Sequence, residues 1–595
     1  RIRHRDEEDS WRPLVRGSAG LLAQAGAIDG LDGLPPVRLL EVIPGVTVAR
    51  SGARTPPSNQ FETGRFETQE AEIDPSLTLK VAPTPNVVID ATLHPDFAQI
   101  ESDQLVTTAN QRFPIFFAEK RPFFLEGIEI FRTPLDAMHS RTIVDPDYAA
   151  KVSGKSGRAT FAMLLASDNA PGDLSDGERD DPALARVAGR NAQTGVLRVR
   201  SDVGDESYLG VLVTSYDFLE RHNRVGGFDG RLALDTRNVF SFQILGTWSE
   251  RHFYDPDLDR SEYRDGSGLG FFAEWKRSGR HLNFTLRGDG RTPDYRADLG
   301  FTTQTDTDRW SADVRYESEP RPDARLLLSW SLANTVLSQW NWDGRLKYAY
   351  LYPRLTLNFR RQTQASVYLY ADYLHLQEEE LGRRRNATQG GAFFGEPERS
   401  TIYKGVVLDV QSQPAKQLSF GLTVDQSWDV FDYDFGALPR FPRVSPAALA
   451  DPSAPLDPGT GRGLAVTARV EVQPSDSLRL TFDHTRNRLV RDDTGRVAFD
   501  EKLYSTQALY QLTAFAFART RVDYDSLHAN VRGQILLGWT PIPGTSFYAG
   551  YTDDLTRGDL GSRHGQDGLD RGLIRNGNTV FVKMSYLLRR TFGPE

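Results

Sequence analysis

From about residue 38 to its last residues the chain repeats one unit, ten or so residues of apolar/polar alternation followed by a break. Residues 464–472 show it plainly. Leu464, Val466, Ala468, Val470 and Val472 fall on one side, with Ala465, Thr467, Arg469 and Glu471 on the other. A turn at Pro474-Ser475-Asp476 leads to Leu478, Leu480 and Phe482 opposite Arg479, Thr481 and Asp483. Side chains of a strand point alternately to its two faces, so each unit reads as a strand with one greasy and one wet face.

The pattern predicts strands at 38–50, 74–83, 86–95, 147–154, 157–167, 193–202, 206–217, 223–235, 238–252, 267–278, 280–290 and 309–319. They continue at 323–338, 343–358, 364–377, 400–412, 416–429, 462–473, 477–489, 501–514, 516–526, 529–540, 545–553 and 577–589. About 24 such strands, with no helical domain between them, predict an all-β fold. The expected form is a large closed antiparallel transmembrane β-barrel, greasy outside and polar inside.

Connection length supports this. Gaps after even-numbered strands are tight, as at Thr84-Pro85, Lys155-Ser156 and Thr236-Arg237. Gaps after odd-numbered strands are mostly long, as at 51–73, 96–146, 168–192, 378–399, 430–461 and 554–576, with short exceptions at 218–222, 339–342 and 527–528. Short periplasmic turns and longer external loops produce that trend, with both termini in the periplasm. The proline-rich loop 430–461 is expected to be irregular and exposed. The last strand alternates Val580, Val582, Met584, Tyr586 and Leu588 with Lys583, Ser585 and Arg589, and Phe592 follows. Such an ending resembles the signal read by the outer-membrane insertion machinery, which makes that machinery an expected partner during biogenesis.

A hydrophobic fraction of 39% and a mean hydropathy of −0.47 are too polar for a helical membrane protein. They suit a barrel, which needs apolar residues only at alternate positions of its crossing part. No run approaches the roughly 18–20 apolar residues of a membrane helix. The absence of cysteine excludes structural disulfides and thiolate metal sites. A net charge of −9 argues against nucleic acid as a partner. The chain opens at Arg1 with no Met, basic n-region or apolar h-region. An exported barrel requires a leader, so a longer precursor is expected. Residues 1–37, charged and then rich in Gly and Ala, read as a linker or the tail of a preceding periplasmic domain. Residues 38–595 then form the barrel.

Residues 94–131, HPDFAQIESDQLVTTANQRFPIFFAEKRPFFLEGIEIF, do not alternate well and are dense in charge and aromatics. A barrel of this size encloses a wide lumen, and the 22-stranded outer-membrane transporters have theirs plugged. Residues 96–146 are accordingly expected to fold inward and partly fill the pore, placing Glu119, Lys120 and Arg121 beside Phe116, Phe117, Phe123 and Phe124. An external loop packed on its own aromatics is the competing reading. The lumen or ligand candidates are Asp96, Glu101, Asp103, Arg112, Glu119, Lys120 and Arg121.

HPDFAQIESD followed by FFAEKRPFFLEG resembles the hallmark of an uncharacterised outer-membrane barrel family, a domain of unknown function. Its members typically carry a family 9-type carbohydrate-binding module in front of the barrel. RIRHRDEEDSW and GLDGLPPVRLLEVIPGV resemble the junction between the two parts, and PGTSFYAGYTDD and VFVKMSYLLRR the closing strands. His94 stands where the family pattern has Asn. The resemblance implies a barrel in the outer membrane of a Gram-negative-type bacterium and supplies no reaction.

Other motifs have bland readings. Asp96, Glu101 and Asp103 are of a type that gathers hard cations, but such acids are more often solvated or paired with basic side chains. Asp255, Asp257 and Asp259 imitate a calcium loop, yet Arg260 holds the place of its Gly and Gly266 that of its Glu. Ser153-Gly154-Lys155-Ser156 lacks the first Gly of a phosphate loop, which is Ala149. No catalytic motif, cofactor or metal site is expected, and the chain is not expected to be an enzyme. The expected role is a transporter, channel or receptor for a polar solute, glycans included, in contact with outer-membrane lipid. The alternative is a structural anchor for a periplasmic protein partner.

Overall fold

The computed structural model describes residues 38–592, apart from 56–63, 96–104, 175–183, 185, 205, 543 and 558–571. Asp96, Glu101 and Asp103, and the segment 1–37, lie outside the described residues.

All strands join one antiparallel sheet in chain order. The strand Arg38–Arg54 pairs with Glu72–Thr84 on one side, and with Leu573–Ser585 and Leu588–Phe592 on the other. The sheet therefore meets its own first edge and closes. Of its 26 segments, Phe66–Thr68 folds back on the first strand and Leu588–Phe592 extends the last, which leaves a wall of 24 strands. A closed ring has no free edge and leaves no ladder group unpaired in lipid.

Each of the expected strands is present, with ends displaced by a few residues. The largest difference is Arg260–Arg277, which starts well before residue 267 because it zips onto Asn238–Asp255 to its end. The acidic run at 255–259 is thus a tight hairpin loop. Asp255 Oδ1 accepts bonds from the Asp257 and Leu258 amides, the ordinary work of an Asx turn. Among the described residues no His/Cys/Asp/Glu group could hold a metal ion.

The outer surface is a belt of alternate apolar residues. Leu197, Val199, Val211, Val213, Leu332, Val336, Leu351, Leu355, Val367, Leu369, Val580 and Val582 are all exposed. Their sequence neighbours, such as Arg198, Leu212, Thr356 and Phe581, are buried inside. A surface of that kind is stable against lipid and not against water, and no described helix is long and apolar enough to cross a membrane. The protein is an outer-membrane barrel.

Two expectations need correcting. The last strand is broken at Tyr586-Leu587, where the Tyr586 amide bonds the Pro44 carbonyl, and pairing with the first strand resumes in the same register at Leu588. The loop around 430–461 is not simply exposed. It holds a short helix, Pro446–Ala450, capped by Ser445 at the Ala448 amide, and its Val444 and Ala437 pack with Leu489, Phe499 and Ala109. Its anchor is the buried Asp434, which accepts bonds from Arg443, Ser445 and the Asp457 amide.

Candidate functional site

The interior divides into two sectors. Facing inward from the strands between Pro146 and Arg277 are Ala149, Ala162, Leu164, Ala166, Val196, Leu212, Val225, Leu245 and Phe272, all buried. This part of the inner wall is largely apolar around a few buried polar side chains such as Arg198, Asp229 and Gln243, against the expectation of a polar interior. The reason is what covers it. Phe124, Phe131, Leu135, Ala137 and Ile143 of the long connection after residue 93 pack on it as one core.

That connection is tied to inward-facing side chains around much of the ring. At the loop end, Glu501 accepts from the Thr108 and Ala109 amides at 3.0–3.2 Å. Asn110 exchanges bonds with Phe431 and Tyr433. Arg112 pairs with Glu380, which also holds Lys347. Deeper in, the Leu135 amide donates to Gln243 Oε1 at 2.7 Å. Arg198, locked to Asp229 by two bonds of 2.5 and 2.7 Å, reaches the Ile130 carbonyl at 3.3 Å. Lys151 Nζ donates to the Phe123 and Glu126 carbonyls at 2.7 and 2.6 Å, with Asp90 at 3.6 Å. Lys80 pairs with Glu126.

Glu119 and Arg121 form the centre of this segment. The guanidinium donates to Glu119 Oε1 at 2.8 Å and Oε2 at 2.7 Å, and to the Ser140 and Ile143 carbonyls at 2.7 and 2.6 Å. Ser140 adds a 2.6 Å bond to Glu119 Oε2, and Phe124 lies under the guanidinium at 4.3 Å. Burial alone would raise the Glu119 carboxyl, but the bonds from Arg121 and Ser140 outweigh it and hold it at about 2. Lys120 is half-buried beside them. Thus Glu119 and Arg121 spend their bonding on the segment itself, and Arg112 on Glu380.

A second sector, separated from the first by three strands of the ring, is polar and rich in tyrosine. From Leu346–Phe359, Thr363–Gln377, Glu398–Ala415 and Leu418–Asp432 the inward positions carry Tyr348, Tyr350, Tyr352, Tyr370, Asp372, Tyr403 and Asp425. Asp372 Oδ2 accepts from Tyr348 and Tyr352 at 2.7 Å each, and Asp425 from Tyr370 at 2.8 Å. Asp372 Oδ1 is buried without a partner among the described residues. The Tyr350 and Tyr352 rings stack at 4.2 Å. Arg309 on Thr307–Glu317, beyond the intervening strand Leu327–Trp340, is bidentate on Asp289 at 3.1 and 2.6 Å.

Sequence reasoning did not single out this tyrosine wall, nor Lys151, Arg198, Gln243 and Glu501. Alternation assigns their face but not their partners. One signal was present. Ala159–Asp168 and Tyr208–Phe218 read as nearly continuous apolar runs, which is how a strand covered on both faces reads.

A family model described as a domain of unknown function (DUF5916) matches residues 55–148, the stretch holding much of the inward segment. No curated protein matches the chain. Among solved structures, the siderophore receptor PirA from Pseudomonas aeruginosa is 8% identical, with 91% of this chain and 80% of that one covered and a TM-score of 0.42. The copper transporter OprC is 9% identical over 92% and 80%, with a TM-score of 0.44. The ferric citrate transporter FecA is 10% identical over 91% and 78%, with a TM-score of 0.41.

Proposed function

We propose that this barrel is a transporter or receptor for a polar solute, and that residues 105–145 are its gate. The observation that supports the reading best is the division of the interior. A folded connection covers one sector, while the second wall, of tyrosine, aspartate and arginine, is suited to a hydrated ligand. Tyrosine faces stack on rings, and the hydroxyls and carboxylates of Tyr348, Tyr352, Tyr370, Asp372 and Asp425 offer donors and acceptors. A glycan fits that chemistry, since sugar rings present both apolar faces and hydroxyls.

The gate's attachments at the loop end are Glu501 with the Thr108 and Ala109 amides, Asn110 with Phe431 and Tyr433, Arg112 with Glu380, and the packing of Ala109 against Leu489 and Phe499; the first and third rest on ionisable side chains. Single-channel recording in planar bilayers tests the idea. Deleting 105–131 is expected to raise conductance, and the full-length R112A/E501Q variant to add open events while the barrel stays folded. Wild-type conductance in both variants would refute gating by this segment. Liposome swelling with neutral oligosaccharides, compared between wild type and Y352A/Y370A, tests the wall separately.

A further inference from the structure

The outward face of four neighbouring strands changes character toward the loop end. Across Leu478–Arg491, Val497–Gln511 and Ala516–Asp525, register sets His484 opposite Tyr504 and Tyr504 opposite Tyr524. Their rings stack at 4.4 and 6.2 Å, a short stretch of aromatic girdle. On its turn side lie exposed Leu480, Phe482 and Val522, facing hydrocarbon. On its loop side the same face carries Arg486 opposite Lys502 and Arg488 opposite Asp500, with Arg462 on the adjoining Gly459–Ser475. Parity fixes their direction, because Glu501 between Asp500 and Lys502 points inward to the Thr108 amide. Arg440 descends from the loop above and donates to the Ser526 carbonyl at 3.3 Å.

These cations are incompletely neutralised. Asp500 takes Arg486 in two bonds of 2.8 Å and lies 3.9 Å from both Arg488 and Lys502. Asp492 faces Arg462 at 3.6 Å. Five cations thus meet two carboxylates. Arg440, Phe441, Arg488, Asp500 and Lys502 also border an open cavity of about 290 Å³. A basic hollow just beyond an aromatic girdle lies at the depth of lipid phosphates, where each cation attracts anionic headgroups.

We propose that this hollow binds the phosphorylated headgroup of an outer-leaflet lipid, with Arg440, Arg488 and Lys502 donating to phosphate. The site needs only the barrel with its long loops outside, so it stands or falls apart from the transport reading. The test is native mass spectrometry of the full chain in nonionic detergent. It is titrated with bis-phosphorylated lipid A, with dephosphorylated lipid A, and with inorganic phosphate as competitor. Lipid A is expected to bind saturably. R488Q/K502Q should weaken it roughly thirtyfold, from about fivefold per lost cation, and D500N should tighten it. Heat-modifiable gel mobility reports whether each variant is folded, and R440Q, in the loop, repeats the test if the strand variants misfold. Equal binding of the dephosphorylated lipid, wild-type affinity in folded variants, or displacement by inorganic phosphate at the lipid's own concentration would each overturn the assignment.

Discussion

His139 packs against the rings of Phe116 and Phe301, with centroids 4.7 and 5.8 Å away and the two phenylalanines themselves 5.2 Å apart, at the point where the inward segment meets the loop 292–306. Its amide bonds the Leu299 carbonyl at 2.6 Å, and the Phe301 amide returns to Asp136 at 2.8 Å. Burial lowers the imidazole's affinity for a proton; Glu119 and Asp136 oppose that, while Arg141 and Arg121 reinforce it. A docked His139 with a depressed pKa binds fewer protons than an undocked one. Docking is therefore fully supported above about pH 6.5, the ordinary histidine value, and weakens as pH falls through the lowered one. Glu119, held at about 2, stays ionised throughout that window, so the Arg121 clamp does not change with it. Hydrogen-exchange protection of 116–143, taken relative to the intrinsic exchange rate at each pH, is expected to fall between pH 7.5 and 5.5 in the wild type and much less in H139F. Equal pH dependence in the two proteins would place the titrating group elsewhere.

Among the elements, the short helical turns Pro122–Leu125 and Ile128–Phe131 have too few residues to be stable alone, and they persist because the wall binds their carbonyls. Lys151 is the main tie: it is 3% exposed and serves two carbonyls and Asp90. K151M fits the apolar surroundings but leaves those carbonyls and a buried carboxylate unpaired. It should loosen 122–131 by about 3 kcal/mol, or roughly a hundredfold in amide exchange. The strands should keep their protection, because their ladders do not pass through Lys151. Global loss of protection would show that the segment and the wall fold as one unit. The apolar runs Ala159–Asp168 and Tyr208–Phe218 belong to the same logic, with one face for lipid and the other for this segment.

For the molecule as a whole, the belt makes the two faces of every strand unequal in their tolerance of charge. Leu369 faces out near the middle of its strand, 51% exposed, while Gln507 faces the lumen. L369R should cost roughly 2–4 kcal/mol in folding into lipid vesicles, the range for a cation at the bilayer midplane, and Q507R close to nothing. Urea titrations of vesicle-inserted protein measure both, and equal costs would contradict the lipid-facing assignment of the belt. The same inequality explains why a net charge of −9 is compatible with a membrane protein, since charge gathers on the lumen wall and at the two rims.

The sequence determined the number, order and facing of the strands by itself. Alternation with period two is a local property, and tight turns against long connections mark the two ends of the barrel without any tertiary knowledge. Even Lys583 and Ser585, set against Val582 and Met584, declare the two sides of the closing strand. Only the tertiary structure decided what fills the interior. Whether an inward position meets water or another segment depends on a chain portion up to hundreds of residues away, as with Glu501 and Thr108. No periodicity encodes such a meeting. The tyrosine wall was hidden for the same reason: Tyr348, Tyr370 and Tyr403 lie on three strands, and they become one surface only when register brings them side by side.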